Sequence, residues 1–186
     1  MTTTTETTET TSTDSTTATG NATVAIASMH AMRSGSLSDF EELYTADVLN
    51  REAEAEPPDT RGVGPAAMYA TAQWLRRAFS ELAWEVHEVV EDGDLVVVHT
   101  TMSGRQTGPF VAYGPDARVK VVFPPRGRRF AVTQTHWFRM REGKVAEHWA
   151  NRDDLGVGQQ LGWNPPAPLY LIRMLLATRR ARRLAY

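Results

Sequence analysis

Gln134 and His136 stand two residues apart in an alternating run, so a strand there sends both side chains to one face. Such a pair joins an imidazole that titrates near neutrality to an amide able to hold a carbonyl oxygen. His148, Asp153 and Asp154 follow closely, and the stretch Gln134–Gly156 holds two of the five histidines and two of the five tryptophans. Proton-moving groups beside that much apolar surface suit acid–base chemistry next to a carbonyl, because desolvation raises a carboxylate pKa toward neutrality. His136, His148 and Asp153 are the candidate proton-transfer groups. Asp153 has an equal claim as the N-cap of a helix starting near Leu155.

Two strand-like runs, Gln134–Arg141 and Lys144–Arg152, flank the turn pair Glu142-Gly143. A regular two-residue hairpin pairs His136 with Trp149 and Gln134 with Asn151, which makes Asn151 a binding candidate. One extra residue sets His136 beside Ala150 instead and turns His148 and Arg152 to the same face. The sequence leaves both registers open. Trp74, Trp84, Phe110, Phe138 and Tyr69 are candidates to wall an apolar pocket around these groups, with Trp74 and Phe138 the binding residues among them.

Other chemistries find less support. With no cysteine, thiolate nucleophiles, disulfides and cysteine-ligated zinc are excluded. His99, His136 and His148 lack the close spacing that marks a metal site, and no metal or other cofactor is expected. Arg61-Gly62-Val63-Gly64 is too short for a phosphate loop, and no nucleophile elbow is present. A net charge of -2 argues against a nucleic-acid binder.

The elements that must position the site read as α+β. Helical spacing covers 22–34, and a capping box at Ser36 and Asp39 starts a second helix. A short strand is expected over 47–52, then a Pro- and Gly-rich loop, then a helix from Pro65 to Phe79. From Leu82 the period changes to two, with strands over 95–103, 107–113, 119–123 and 128–141, for which a meander is the economical topology. Helices packed on one face of a curved antiparallel sheet follow from this order. The Thr-rich segment 1–20 reads as a disordered tail, 21–162 as the domain, and 163–186 as a basic helical extension. In that last helix Leu169, Ile172, Leu175 and Leu176 share a side; packing on the domain or on a partner subunit is expected ahead of the alternative that Arg179, Arg180, Arg182 and Arg183 suggest, a membrane-surface or anionic-partner helix. With no apolar run long enough to span a bilayer, no stable membrane anchor is expected and a cytoplasmic setting is compatible. An exposed sheet edge is a natural place for two copies to pair.

Glu147-His148-Trp149, Asn151-Arg152-Asp153-Asp154-Leu155-Gly156 and Gln159-Gln160-Leu161-Gly162 resemble the C-terminal motif of SnoaL-like polyketide cyclases. The resemblance extends to Pro124-Pro125-Arg126-Gly127-Arg128, to Glu91-Asp92-Gly93-Asp94 and to Asn50, covering about residues 22–162. It implies a cone-shaped α+β barrel of the nuclear transport factor 2-like type, and cofactor-free intramolecular aldol cyclisation of a polyketide ester. Asn50, Gln134 and His136 match the polar cavity residues of that family. The resemblance also implies a catalytic aspartate directly after the tryptophan, where this chain has Ala150. Two further readings stand beside the cyclase: a binding module that kept the cavity without the chemistry, and an epoxide hydrolase, which wants an Asp-Arg-Asp set that Gln134-x-His136 does not supply.

Overall fold

Helix α1 (Gly20–Ser34) is fixed at both ends by side chains from elsewhere in the chain, one of them from α3 (Pro65–Ala78). Ala22 N–H donates to Glu91 Oε2 (3.1 Å) at the start of α1, and Arg76 of α3 donates to the Ala31, Met32 and Gly35 carbonyls (2.6–2.9 Å) at its end. Both contacts satisfy groups that a helix terminus leaves open. Helix α2 (Leu37–Leu43) begins with the expected Ser36–Asp39 capping box. Pro65 opens α3 after Gly64, whose φ of 96° and close approach to the Ala46 carbonyl leave no room for a side chain. The computed structural model describes residues 20–184, so the Thr-rich segment up to residue 19 lies outside the described residues.

The helices pack on a five-stranded sheet of order β1-β7-β6-β3-β2, formed by β1 (Tyr44–Asn50), β2 (Phe79–Asp92), β3 (Leu95–Gln106), β6 (Arg129–Arg141) and β7 (Lys144–Arg152). Buried Val96, Val98, Thr100 and Met102 alternate along β3 with half-exposed neighbours, as a sheet covered on one face requires. Phe40, Phe138, Val145 and Leu161 complete the interior.

The expected meander needs two corrections. The first strand starts at Tyr44, earlier than expected, and lies parallel to β7 at the sheet edge, with Asn50 beside His148. The second correction concerns β4 (Phe110–Tyr113) and β5 (Val119–Phe123), which form a separate hairpin. The chain leaves the sheet there because Thr107 and Gly108 N–H both donate to the Ala78 carbonyl at the end of α3 (3.0 Å each). A Cβ at Gly108 would come within 1.9 Å of the Arg77 carbonyl oxygen, so the turn demands glycine.

Helix α4 (Asp154–Leu161) starts from Asp153, whose Oδ1 accepts the Gly156 N–H at 2.7 Å. Helix α5 (Pro168–Leu184) packs through Tyr170, Met174 and Thr178, so the apolar stripe Leu169, Ile172, Leu175 and Leu176 faces outward instead. Thr178 and Arg182 pair with open backbone groups of β5, the hydroxyl accepting Val122 N–H (2.9 Å) and the guanidinium donating to the Val119 and Lys120 carbonyls (2.9 Å each). No described helix is long and apolar enough to cross a membrane.

Replacing Asp153 with Ala removes the α4 cap and is expected to cost about 1 kcal/mol of stability, read as a lower denaturant midpoint at unchanged slope.

Candidate active site

The hairpin β6–β7 turns at Glu142 and Gly143, both with positive φ (53° and 73°), as a two-residue type I′ turn requires. Arg141 pairs with Lys144 and Met140 with Val145, but Arg139 then pairs with Glu147, so Ala146 is an extra residue. That bulge is the second of the two registers the sequence allows. His136 consequently stands beside Ala150, Phe138 beside His148 and Gln134 beside Arg152, all on the face under the helices.

A chain of polar contacts results. Gln134 Oε1 lies 2.9 Å from His136 Nε2, His136 Nδ1 lies 3.0 Å from His148 Nε2, and His148 Nδ1 lies 3.2 Å from Asn50 Oδ1. Asn50 Oδ1 also accepts the Glu52 N–H (3.1 Å). All four ring nitrogens are therefore occupied. Burial holds the His136 imidazole at a pKa of about 3, helped by the Arg152 guanidinium, and burial with His136 and Arg152 holds His148 well below the usual histidine range. Two neutral rings bring two N–H groups to three contacts whose ends both accept. One contact lacks a proton until the Gln134 amide turns over and presents Nε2 to His136. Asn50 Nδ2, by contrast, bonds to no described residue while Asn50 borders the cavity.

That cavity has a volume of about 330 Å³. Its apolar wall is an aromatic cluster in which Phe123 stacks on Trp163 (centroids 4.3 Å apart), Trp74 lies tilted on Phe110 (4.7 Å) and Phe79 meets Phe130 edge to face (5.2 Å). Of the three buried indoles in the lining, Trp74 Nε1 donates to the Val111 carbonyl (2.9 Å) and Trp163 Nε1 to Gln106 Oε1 (3.2 Å), while Trp84 contributes its apolar surface. Apolar walls with a few convergent polar groups are the usual form of a small-molecule site.

Residues 22–161 match the family model described as SnoaL-like polyketide cyclase. The chain belongs to this family. Among SnoaL-like relatives, aklanonic acid methyl ester cyclase DnrD of Streptomyces peucetius is 34% identical over 141 residues, covering 75% of this chain and 89% of that protein. Nogalonic acid methyl ester cyclase of Streptomyces nogalater is 31% identical over 133 residues, covering 71% and 90%. The solved structure of TsrD from Streptomyces laurentii superimposes with a TM-score of 0.62 at 24% identity, covering 77% of this chain and 95% of that one, a likeness of fold alone.

Of the expected SnoaL-like site residues, Asn50, Gln134, His136, His148, Trp74 and Phe138 meet around the cavity. Two lie elsewhere. Asp153 caps α4, and Asn151 points to the opposite face of the sheet, where its Oδ1 accepts from Trp137 Nε1 (3.3 Å). His99 shares that opposite face with Thr135 (Nδ1 to Oγ1, 3.2 Å), so the three histidines do not converge on a metal. Tyr69 packs on Phe40 instead of lining the cavity. Sequence reasoning missed Glu56 and the far aromatics Phe79, Phe123, Phe130 and Trp163. Glu56 sits in a Pro-rich loop with no period to show its facing, and only the loop's packing against α3 turns it inward.

Both histidines are neutral in the fold and take up protons when it opens. Stability is full above about pH 6.5 and is lost as pH falls below it, by about 1.4 kcal/mol per pH unit for each histidine whose folded pKa lies lower still. Thermal melts from pH 8 to pH 4.5 are expected to show this loss, and a His136→Gln, His148→Gln double variant to flatten it.

Proposed function

We propose that this protein closes a ring in a polyketide-derived ester by intramolecular aldol chemistry, needing no cofactor. The observation that carries the reading is the enclosed aromatic cavity with Asn50, His148, His136 and Gln134 on one wall, in a chain whose named relatives are methyl ester cyclases. A flat aromatic substrate packs against the ring cluster of Trp74, Phe110 and Trp163, and its reacting carbonyls reach the polar wall. Removal of a proton between two carbonyls leaves charge on oxygen, which a preorganised donor in a dry site stabilises.

Asn50 Nδ2 is that donor. Its amide is held in one orientation by two donors to Oδ1, the Glu52 N–H and His148, and His148 is held in turn by His136. The histidines are thus positioning residues, with Gln134 at the far end of the row. A ligand of this kind, in the cytoplasm and with no nucleic acid or membrane involved, is the partner the cavity is built for, and the exposed edge of β2 gives a second copy a place to pair.

Aklanonic acid methyl ester, the compound named for the relative, is the probe. Conversion to a cyclised isomer of unchanged mass, followed by liquid chromatography with mass detection, is the expected result. Binding without conversion would instead favour a carrier of the same fold. Replacing Asn50 with Ala is expected to lower kcat by about 10²–10³ while leaving the fold intact, the size seen for loss of one oxyanion donor.

A further inference from the structure

Seven titratable side chains border the cavity: Tyr44, Glu52, Glu56, His136, His148, Arg152 and Asp154. Most are already committed. Every ring nitrogen of the two histidines is bonded, and burial pushes the Tyr44 hydroxyl up to about 12, out of range for proton transfer near neutrality. Arg152 pairs with Glu52 at 3.4 Å and with Asp154 at 3.7 Å, and Glu52 Oε1 also accepts the Ala150 N–H at 3.1 Å. Asp154 is exposed at the head of α4.

Glu56 is different. It is 2% exposed, and its Oε2 accepts a short hydrogen bond from Thr71 Oγ1 on α3 (2.6 Å). The guanidinium whose charge acts on this carboxyl, Arg152, is spent on other carboxylates. Its backbone is fixed as well, because Arg61 donates to the Glu56 carbonyl through Nε (3.1 Å) and Nη2 (2.9 Å). A carboxyl buried without its own cation costs free energy in the folded protein, and such a cost is most often met at sites that use the group.

We infer that Glu56 is the acid–base catalyst of this cavity, taking the proton from the carbon between two substrate carbonyls and returning it to the oxygen of the carbonyl that is attacked. The assignment rests on the cyclase reading. The Glu56 carboxylate removes the C–H proton and the electron pair becomes the enolate. The enolate carbon bonds to the second carbonyl carbon, whose π pair moves to oxygen, and that oxygen takes the proton back from the Glu56 carboxyl. No proton or electron is gained or lost over the cycle. Burial raises the Glu56 pKa above the ordinary carboxylate value, against the Thr71 hydrogen bond and the Arg152 charge, which brings the group toward the pH at which both transfers run well. The charged groups facing it are Arg152 of β7 and Glu52 of its own loop, with Arg61 on its carbonyl side. Helix α3 contributes the uncharged Thr71.

The test is the pH dependence of ring closure with aklanonic acid methyl ester for wild type, Glu56→Gln, Glu52→Gln and Thr71→Val. Glutamine keeps the acceptor for Thr71, so Glu56→Gln is expected to melt no lower than wild type at pH 8. Its kcat is expected to fall by about 10²–10⁴ with KM little changed, the range typical of a lost general acid–base. Thr71→Val keeps the carboxyl and removes a contact that lowers its pKa, so the acidic limb of the kcat profile should move to higher pH. Turnover by wild type with Glu56→Gln equally active, with the loss falling on Glu52→Gln instead, or with an unmoved limb in Thr71→Val, overturns the assignment alone. A wild type that leaves the ester unchanged overturns the cyclase reading and this assignment together.

Discussion

One residue in excess, Ala146, decides what the cavity contains. Side chains on a strand alternate strictly, so a regular β6–β7 hairpin would place His148 and Arg152 on the outer face. The bulge between the Met140–Val145 and Arg139–Glu147 pairs restores both to the inner face, next to His136 and Gln134. Everything polar in the cavity depends on that step: the paired imidazoles, the anchored Asn50 and the Arg152 that engages Glu52. The parallel edge strand β1 depends on it too, since Asn50 meets His148 only in this register.

The polar wall that results is rigid and uncharged at neutral pH. Its histidines are bonded at every nitrogen, which makes them a frame for the Asn50 amide. The carboxyls come from the loop between β1 and α3. Glu52 answers to the backbone of Ala150 and to Arg152, whereas Glu56 is met by hydroxyls, Thr71 on α3 and Thr60 of its own loop. Two carboxyls four residues apart thus have opposed environments, one neutralised and one left with its desolvation. Sites that separate the roles of two similar groups are built in this way.

How much of this was legible depended on whether a residue's facing is set locally. Periodicity placed Gln134 and His136 on one face, and the Ser36–Asp39 box, Pro65 and Glu142-Gly143 each announced an element boundary through their own backbone chemistry. The bulge at Ala146 was visible only as one of two registers, because neither propensity nor pattern distinguishes Ala146 from its neighbours. Asp153 read equally well as acid or cap, and only its contact with Gly156 separates the two. The outward stripe of α5 shows the converse limit: Leu169, Ile172, Leu175 and Leu176 have the spacing of a buried face, yet Tyr170, Met174 and Thr178 reach β5 because that strand has open backbone groups to meet. Glu56 carried no local signal whatever.

Trp163 lies two residues beyond the stretch that matches the family model, yet it stacks on Phe123 and Phe110 in the cavity wall. The polar groups of the cavity and this part of its aromatic wall are therefore written in separate parts of the chain. A change at Trp163, or in the turn that carries it, alters which molecules the chamber admits without moving any group of the β6–β7 hairpin. Substrate range in such a protein can drift through its last segment while the reaction stays fixed.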